Sequence, residues 1–221
     1  MISLFLILPI LFTTPSDIQS TTFTLNDTNI LNVGLVNEYS STTTENQSTN
    51  NMSETASDNI AVCESLYSTY IPQNIRTYLE QQGWTYKLVT RETLSELAGT
   101  NNIIGYTDVK NKIVYVEDDV LSIKRAFLHE YGHAVGTSIT KGMIEEMYAN
   151  GIDPMYLDFN AIYEEEKAFF TYTYKGNDSH EISNLAEYLA STFHEYITNP
   201  YNLNDTCPKT YVFWTNIINN F

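Results

Sequence analysis

The chain has 221 residues, with 27 Asp and Glu against 11 Lys and Arg and a formal net charge of −16 at pH 7. That length suits one domain with a real core. The acidic surplus argues against nucleic acid and anionic membrane as partners, because such a surface repels phosphates instead of releasing their counterions.

The N-terminus reads MISLFLILPILF, an apolar run from Ile2 to Phe12. It is about half of the roughly 20 residues that span a bilayer as a helix, so it is expected to be a signal-peptide core with a cut near Ser20. The alternative is an uncleaved anchor, since no Lys or Arg follows Met1. Signal cleavage implies a secreted protein with no stable membrane association. Residues 21–60 carry many Ser, Thr and Asn, few large apolar groups and no positive charge. Such a segment cannot bury enough surface to offset its ordering entropy and is expected to be a disordered linker or a pro-segment. Asn26, Asn46, Asn51, Asn177 and Asn204 each open an Asn-x-Ser/Thr site, of use only to a host that glycosylates secreted proteins.

A folded domain is expected over 61–221. The chain's two cysteines, Cys63 and Cys207, lie near its ends. In a secreted protein they are expected to form a disulfide closing almost the whole domain, which would remove about 5 kcal/mol of unfolded-chain freedom. The alternative is two free thiols. Ile75, Tyr78 and Leu79 at helical spacing predict a helix that stops at Gly83. Thr85–Thr90, Ile103–Tyr106 and Lys112–Glu117 read as strands, Glu92–Leu97 as a short helix, and Asp108 as part of a polar turn. Asp118 or Asp119 then caps a helix that packs through Leu121, Phe127, Leu128, Tyr131 and Val135, with Gly136 near its end.

That helix carries HEYGH, with His129 and His133 flanking Glu130. Residues four apart on a helix lie about 6 Å apart on one face, so two imidazoles can grip one zinc ion while the glutamate between them faces its water. Zinc lowers the pKa of that water to about 7, and Glu130 is expected to act as general base. The motif therefore points to a zinc-dependent endopeptidase acting on protein or peptide substrates. A strand followed by a capped helix with this motif is the zincin arrangement, in which an edge strand pairs with extended substrate.

After Gly142 the pattern is mostly helical, with breaks near Gly151–Pro154 and around Lys175–Ser179, so the fold class is α+β. The acid runs Glu145-Glu146 and Glu164-Glu165-Glu166 read as solvated helix faces, or as a preference for neutral or basic substrates. A catalytic zinc takes three protein ligands and leaves one position open. A metzincin would place its third histidine where this chain has Ile139. A glutamate on a second helix fits better. In NLAEYLASTFHEYITNP, Leu185, Leu189, Phe193 and Ile197 form an apolar stripe, and Glu187, Ala190, Ser191 and His194 share another face. Glu187 reads equally as a ligand or as the far half of a capping box begun by Asn184.

HEYGHAVG, EYLASTFHEY and CPKTYVFW together resemble the catalytic domain of anthrax toxin lethal factor and its relatives, including the secreted Pro-Pro endopeptidases, over roughly residues 61–221. The resemblance implies a zincin-like domain with His129, His133 and Glu187 on one zinc ion, Glu130 as catalytic base, and substrates that include Pro-rich peptides. The family's second acidic residue, one turn after the ligand, is Ser191 here, which leaves His194 or Glu195 to replace it. The family's oxyanion-stabilising tyrosine corresponds to His180. His180 is thus a candidate electrophile, with Tyr172 or Tyr174 as alternatives. These departures keep a second expectation open, a secreted binding or toxin-like protein with a decayed, non-catalytic zinc site.

Overall fold

The computed structural model describes residues 52–173 and 180–221. The expected signal peptide, nearly all of the expected linker, Tyr174 and the site at Asn177 lie outside them. Helix α1 spans Met52–Tyr70, so it begins ahead of the expected boundary at residue 61. Helix α2 (Gln73–Gln81) buries Ile75 and Leu79, and Gly83 at φ +84 turns the chain into strand β1 (Thr85–Val89). Helix α3 (Arg91–Ala98) starts where the Thr90 hydroxyl accepts from Thr93 N.

Strands β2 (Gly105–Asp108) and β3 (Ile113–Glu117) complete a three-stranded sheet in the order β1-β3-β2. Here β3 runs parallel to β1 and antiparallel to β2. Strand β2 continues two residues beyond the expected Tyr106 because the Asp108 carboxylate holds the turn, accepting from Asn111 N at 2.9 Å and Asn111 Nδ2 at 2.7 Å.

Helix α4 (Val120–Ser138) follows, capped by Asp119, whose carboxylate accepts from Leu121 N and Ser122 N. It passes through Gly136 without stopping and ends at Ile139, which is extended. Gly136 is needed for a neighbouring helix instead of for a turn, as described below. Beyond α4 come α5 (Lys141–Ala149), a 3-10 turn at Pro154–Tyr156, α6 (Phe159–Glu166), α7 (Leu185–Thr198), α8 (Pro200–Thr206) and α9 (Pro208–Asn219). The architecture is α+β.

One core joins these layers. Tyr86 of β1 meets Phe127 of α4 edge-on, Phe127 meets Tyr131, and Tyr131 meets Tyr67 of α1. The chain of rings ties the sheet to α4 and α1. On the other side of α4, Phe159, Tyr188, Phe193, Phe213 and Trp214 pack as a second aromatic group, and Trp214 Nε1 donates to Thr192 Oγ1 at 3.0 Å. The far face of the sheet is covered by Leu94, Ile103 and Tyr115. No helix among the described residues is long and apolar enough to cross a membrane.

Two expectations fail. Cys63 and Cys207 are both free and buried. Cys63 lies in α1 while Cys207 joins α8 to α9 and turns its Sγ toward the Glu166 carbonyl oxygen, 3.6 Å away. Burial pushes the two thiols up to about 12 and about 11, so they pack as small apolar groups. Glu166 also departs from the solvated face expected of it. It is buried, and its carboxylate accepts from Lys209 N, Thr210 N and Thr210 Oγ1. Helix α9 begins Cys207-Pro208 with no side-chain cap of its own, so Glu166 supplies the acceptors from another helix.

Candidate metal centre

Helices α4 and α7 cross at their small residues. A Cβ on Gly132 would lie 2.6 Å from the Ala190 carbonyl oxygen, and one on Gly136 would overlap Leu189 Cδ2. At Gly132 only hydrogen lets the backbones approach so closely, while at Gly136 the space is taken by the Leu189 side chain. The approach brings His129 and His133 of α4 up to Glu187 of α7. Asn184 caps α7, accepting from Ala186 N at 2.9 Å and Glu187 N at 3.1 Å.

The Glu187 carboxylate turns to the histidines. Its Oε2 lies 3.2 Å from His129 Nε2, 3.6 Å from His133 Nε2 and 3.1 Å from His180 Nε2. One ligand atom from each of His129, His133 and Glu187 falls within 4.8 Å of the others. All three residues are buried, with Glu187 at 0% exposure. Among the described residues this His-His-Glu group could hold a metal ion. The fit rests on two unpartnered polar atoms: His133 Nε2 and Glu187 Oε1 are sealed from water and have no hydrogen-bond partner. Buried lone pairs left unpaired are costly, and a cation between them would satisfy both.

The electrostatics agree with that arrangement. Burial opposes ionisation of Glu187, but His133, His129 and His180 hold its carboxyl well below the usual carboxylate range. Burial lowers the pKa of His129 against the pull of Glu187. His180 is shifted up: burial opposes its charge, and Glu187 outweighs burial. An anionic carboxylate beside neutral imidazole is the protonation state a divalent cation requires of its ligands.

Glu130 stands on the sheet side of α4, fully buried. Burial pushes its pKa well above the ordinary value, opposed by the Thr107 hydroxyl and reinforced by the charge on Glu187. Thr107 Oγ1 lies 2.7 Å from Glu130 Oε2 and 2.9 Å from the Glu130 carbonyl oxygen, leaving Oε1 with no partner. Ser191 lies one turn after Glu187, and its hydroxyl is 3.3 Å from His129 Nδ1. The sequence treats Ser191 as a missing carboxylate, whereas its hydroxyl reaches His129 on the nitrogen that does not face Glu187.

His194 and Glu195 have other partners. His194 Nδ1 meets the Tyr172 hydroxyl at 2.5 Å. Glu195 accepts from Thr173 N, Thr173 Oγ1 and Asn202 Nδ2. Thr107 escaped sequence reasoning because only pairing with β3 shows which face of β2 meets α4. The chain matches no protein-family model and no curated protein.

Proposed function

We propose that this protein is a secreted zinc-dependent endopeptidase of zincin type. The observation that supports it most is the convergence of His129, His133 and Glu187, with Glu130 on the same turn as the two histidines. His129 Nε2, His133 Nε2 and a Glu187 carboxylate oxygen would hold the ion, the three protein ligands that a catalytic zinc takes. Bound there, zinc would polarise the scissile carbonyl and acidify the attacking water to a pKa of about 7.

The protein's own groups supply the rest. Glu130 accepts the water's proton at Oε1, its unpartnered oxygen, and returns it to the leaving amine. Thr107 Oγ1, 2.7 Å from Oε2, holds the other carboxylate oxygen and leaves Oε1 for that exchange. His180 Nε2 lies 3.1 Å from Glu187 Oε2, beside the proposed ligands, where its imidazole could donate to the developing oxyanion. Among the described residues β2 pairs with no strand on the side away from β3, where an extended and Pro-rich peptide could add a strand.

One observation favours a second reading. His180 Nε2 is as close to Glu187 Oε2 as His129 Nε2 is. A fourth protein donor there would close the site and make it structural in a secreted binding protein.

One experiment separates the two. The full-length chain and its Glu130→Gln variant are incubated with a peptide library enriched in proline, read by mass spectrometry, with bound zinc measured in parallel. Cuts that a chelator abolishes and the variant lacks, at equal zinc content, are the expected result. Equal zinc with no cleavage by either protein overturns the peptidase reading.

A further inference from the structure

Strand β2 does more than edge the sheet. Its residues alternate, so Gly105 and Thr107 share the face toward α4 and are buried, while Tyr106 and Asp108 take the opposite face and are half-buried. Tyr106 pairs with Tyr115 of β3 in register, and their rings stack at 6.3 Å on that opposite face. A slip of one residue would turn Tyr106 onto α4, so this pair pins the register that aims Gly105 and Thr107 at Glu130.

Both residues bear on the same carboxylate. A Cβ on Gly105 would lie 2.5 Å from Glu130 Oε1, 2.7 Å from its Cγ and 2.9 Å from its Cδ. The Glu130 side chain therefore fills the space that any side chain at 105 would need. Thr107 has one hydroxyl hydrogen facing two Glu130 oxygens, the backbone carbonyl at 2.9 Å and Oε2 at 2.7 Å. The hydroxyl thus links the carboxylate to the helix backbone that carries it, and restricts the rotation of a side chain with three torsions.

We infer that Gly105 and Thr107 are positioning residues, which hold Glu130 by Oε2 so that Oε1 alone is presented for proton transfer. The inference rests on the peptidase reading for its kinetic meaning, but the positioning itself is a property of the protein without metal. It also accounts for a buried threonine at an edge strand, where valine would pack equally well and leave Oε2 unbonded.

The test uses the full-length protein with Thr107→Val, Thr107→Ser and Gly105→Ala. Against a peptide that the native protein cuts, Thr107→Val is expected to lose ~100-fold in kcat, the low end of what a well-placed general base supplies. Its zinc content and far-UV spectrum should match the native protein, and KM should change by no more than about twofold. Thr107→Ser, which keeps the hydroxyl, should recover most of the loss. Gly105→Ala should lower kcat by displacing Oε1. Crystal structures of the chelator-treated native and Thr107→Val proteins give a readout independent of turnover: the Glu130 carboxylate should leave its native position in the variant. Near-native kcat in Thr107→Val, equal losses in the Val and Ser variants, or an unmoved carboxylate overturns the inference. Absence of chelator-sensitive cleavage by the native protein overturns the peptidase reading instead, and the crystal structures then decide the positioning.

Discussion

Gly132 and Ala190 meet backbone to backbone: a methyl group on Gly132 would sit 2.6 Å from the Ala190 carbonyl oxygen and 2.8 Å from its Cα. Gly132 directly precedes His133, and Ala190 lies three residues after Glu187. The contact therefore sets the distance across which the histidines of α4 face the carboxylate of α7.

Substituting Gly132 with Ala should force the helices apart, because the atoms it meets are backbone and cannot rotate away. Overpacking of this kind costs about 1–3 kcal/mol. Zinc affinity should fall with it, since ligands displaced by a fraction of an ångström lose coordination geometry. Gly136→Ala meets only the Leu189 side chain, which can change rotamer, so its effect should be smaller. Urea unfolding and competitive zinc titration of both variants check the order. Native zinc affinity in Gly132→Ala would show that the helix approach does not set the site.

The sequence leaves Glu187 balanced between ligand and cap, and the two roles separate experimentally. Asn184 makes the cap by accepting from Ala186 N and Glu187 N, while the Glu187 carboxylate faces three imidazoles. Asn184→Ala should cost about 1 kcal/mol of stability and leave zinc binding nearly native. Glu187→Ala should abolish the rise in melting temperature that added zinc gives the native protein, a rise set by RT ln(1 + [Zn]/Kd). Thermal scans with and without zinc distinguish them. A zinc-dependent shift that survives in Glu187→Ala would remove it from the ligand set.

Ser191 places a neutral hydroxyl beside His129, on the ring nitrogen that does not face Glu187. With a metal ion on His129 Nε2, Nδ1 would carry the proton and donate it to Ser191 Oγ, 3.3 Å away. That bond fixes the tautomer and ring plane. Ser191→Ala should weaken zinc binding about 10–100-fold, and Ser191→Asp should strengthen it relative to Ala. Chelator competition reads both. An affinity in Ser191→Ala equal to the native protein would mean that packing alone orients His129.

How legible the site was depends on the kind of relationship. His129, Glu130 and His133 share one helical turn, so their proximity follows from spacing. Helices α2, α3 and α4 and the break near Gly151–Pro154 follow from periodicity and turn residues, whereas α1 begins inside the segment expected to be a disordered linker. Asp119 is chosen over Asp118 only by the φ and ψ at which the chain enters α4. What spacing could not show are partners brought together across the fold. Thr107 reaches Glu130 across 23 residues and Ser191 reaches His129 across 62. Gly136 marks the end of α4 to within two residues, but local pattern cannot register that α7 crosses there. The cysteine pair looked bonded because chain position and compartment say nothing of the direction in which a buried Sγ points.

His194 offers a prediction in pH. It is buried, and burial together with the nearby His129 lowers its pKa from 6.5 to about 3. Its Nδ1 sits within hydrogen-bond distance of the Tyr172 hydroxyl. Between about pH 3 and 6.5 the unfolded chain binds this proton and the folded chain does not. The stability of the neutral buried imidazole is fully present above pH 6.5 and is lost as pH falls toward 3, with a slope of up to about 1.4 kcal/mol per pH unit. In His194→Asn the amide oxygen can accept from Tyr172, but no proton is taken up by the unfolded state at this position. Urea unfolding of both proteins, chelated to exclude metal linkage, should show a shallower acid dependence in the variant whatever its stability at neutral pH. Equal slopes would mean that His194 charges in the folded protein as readily as in the unfolded chain, and that its burial is relieved by local opening.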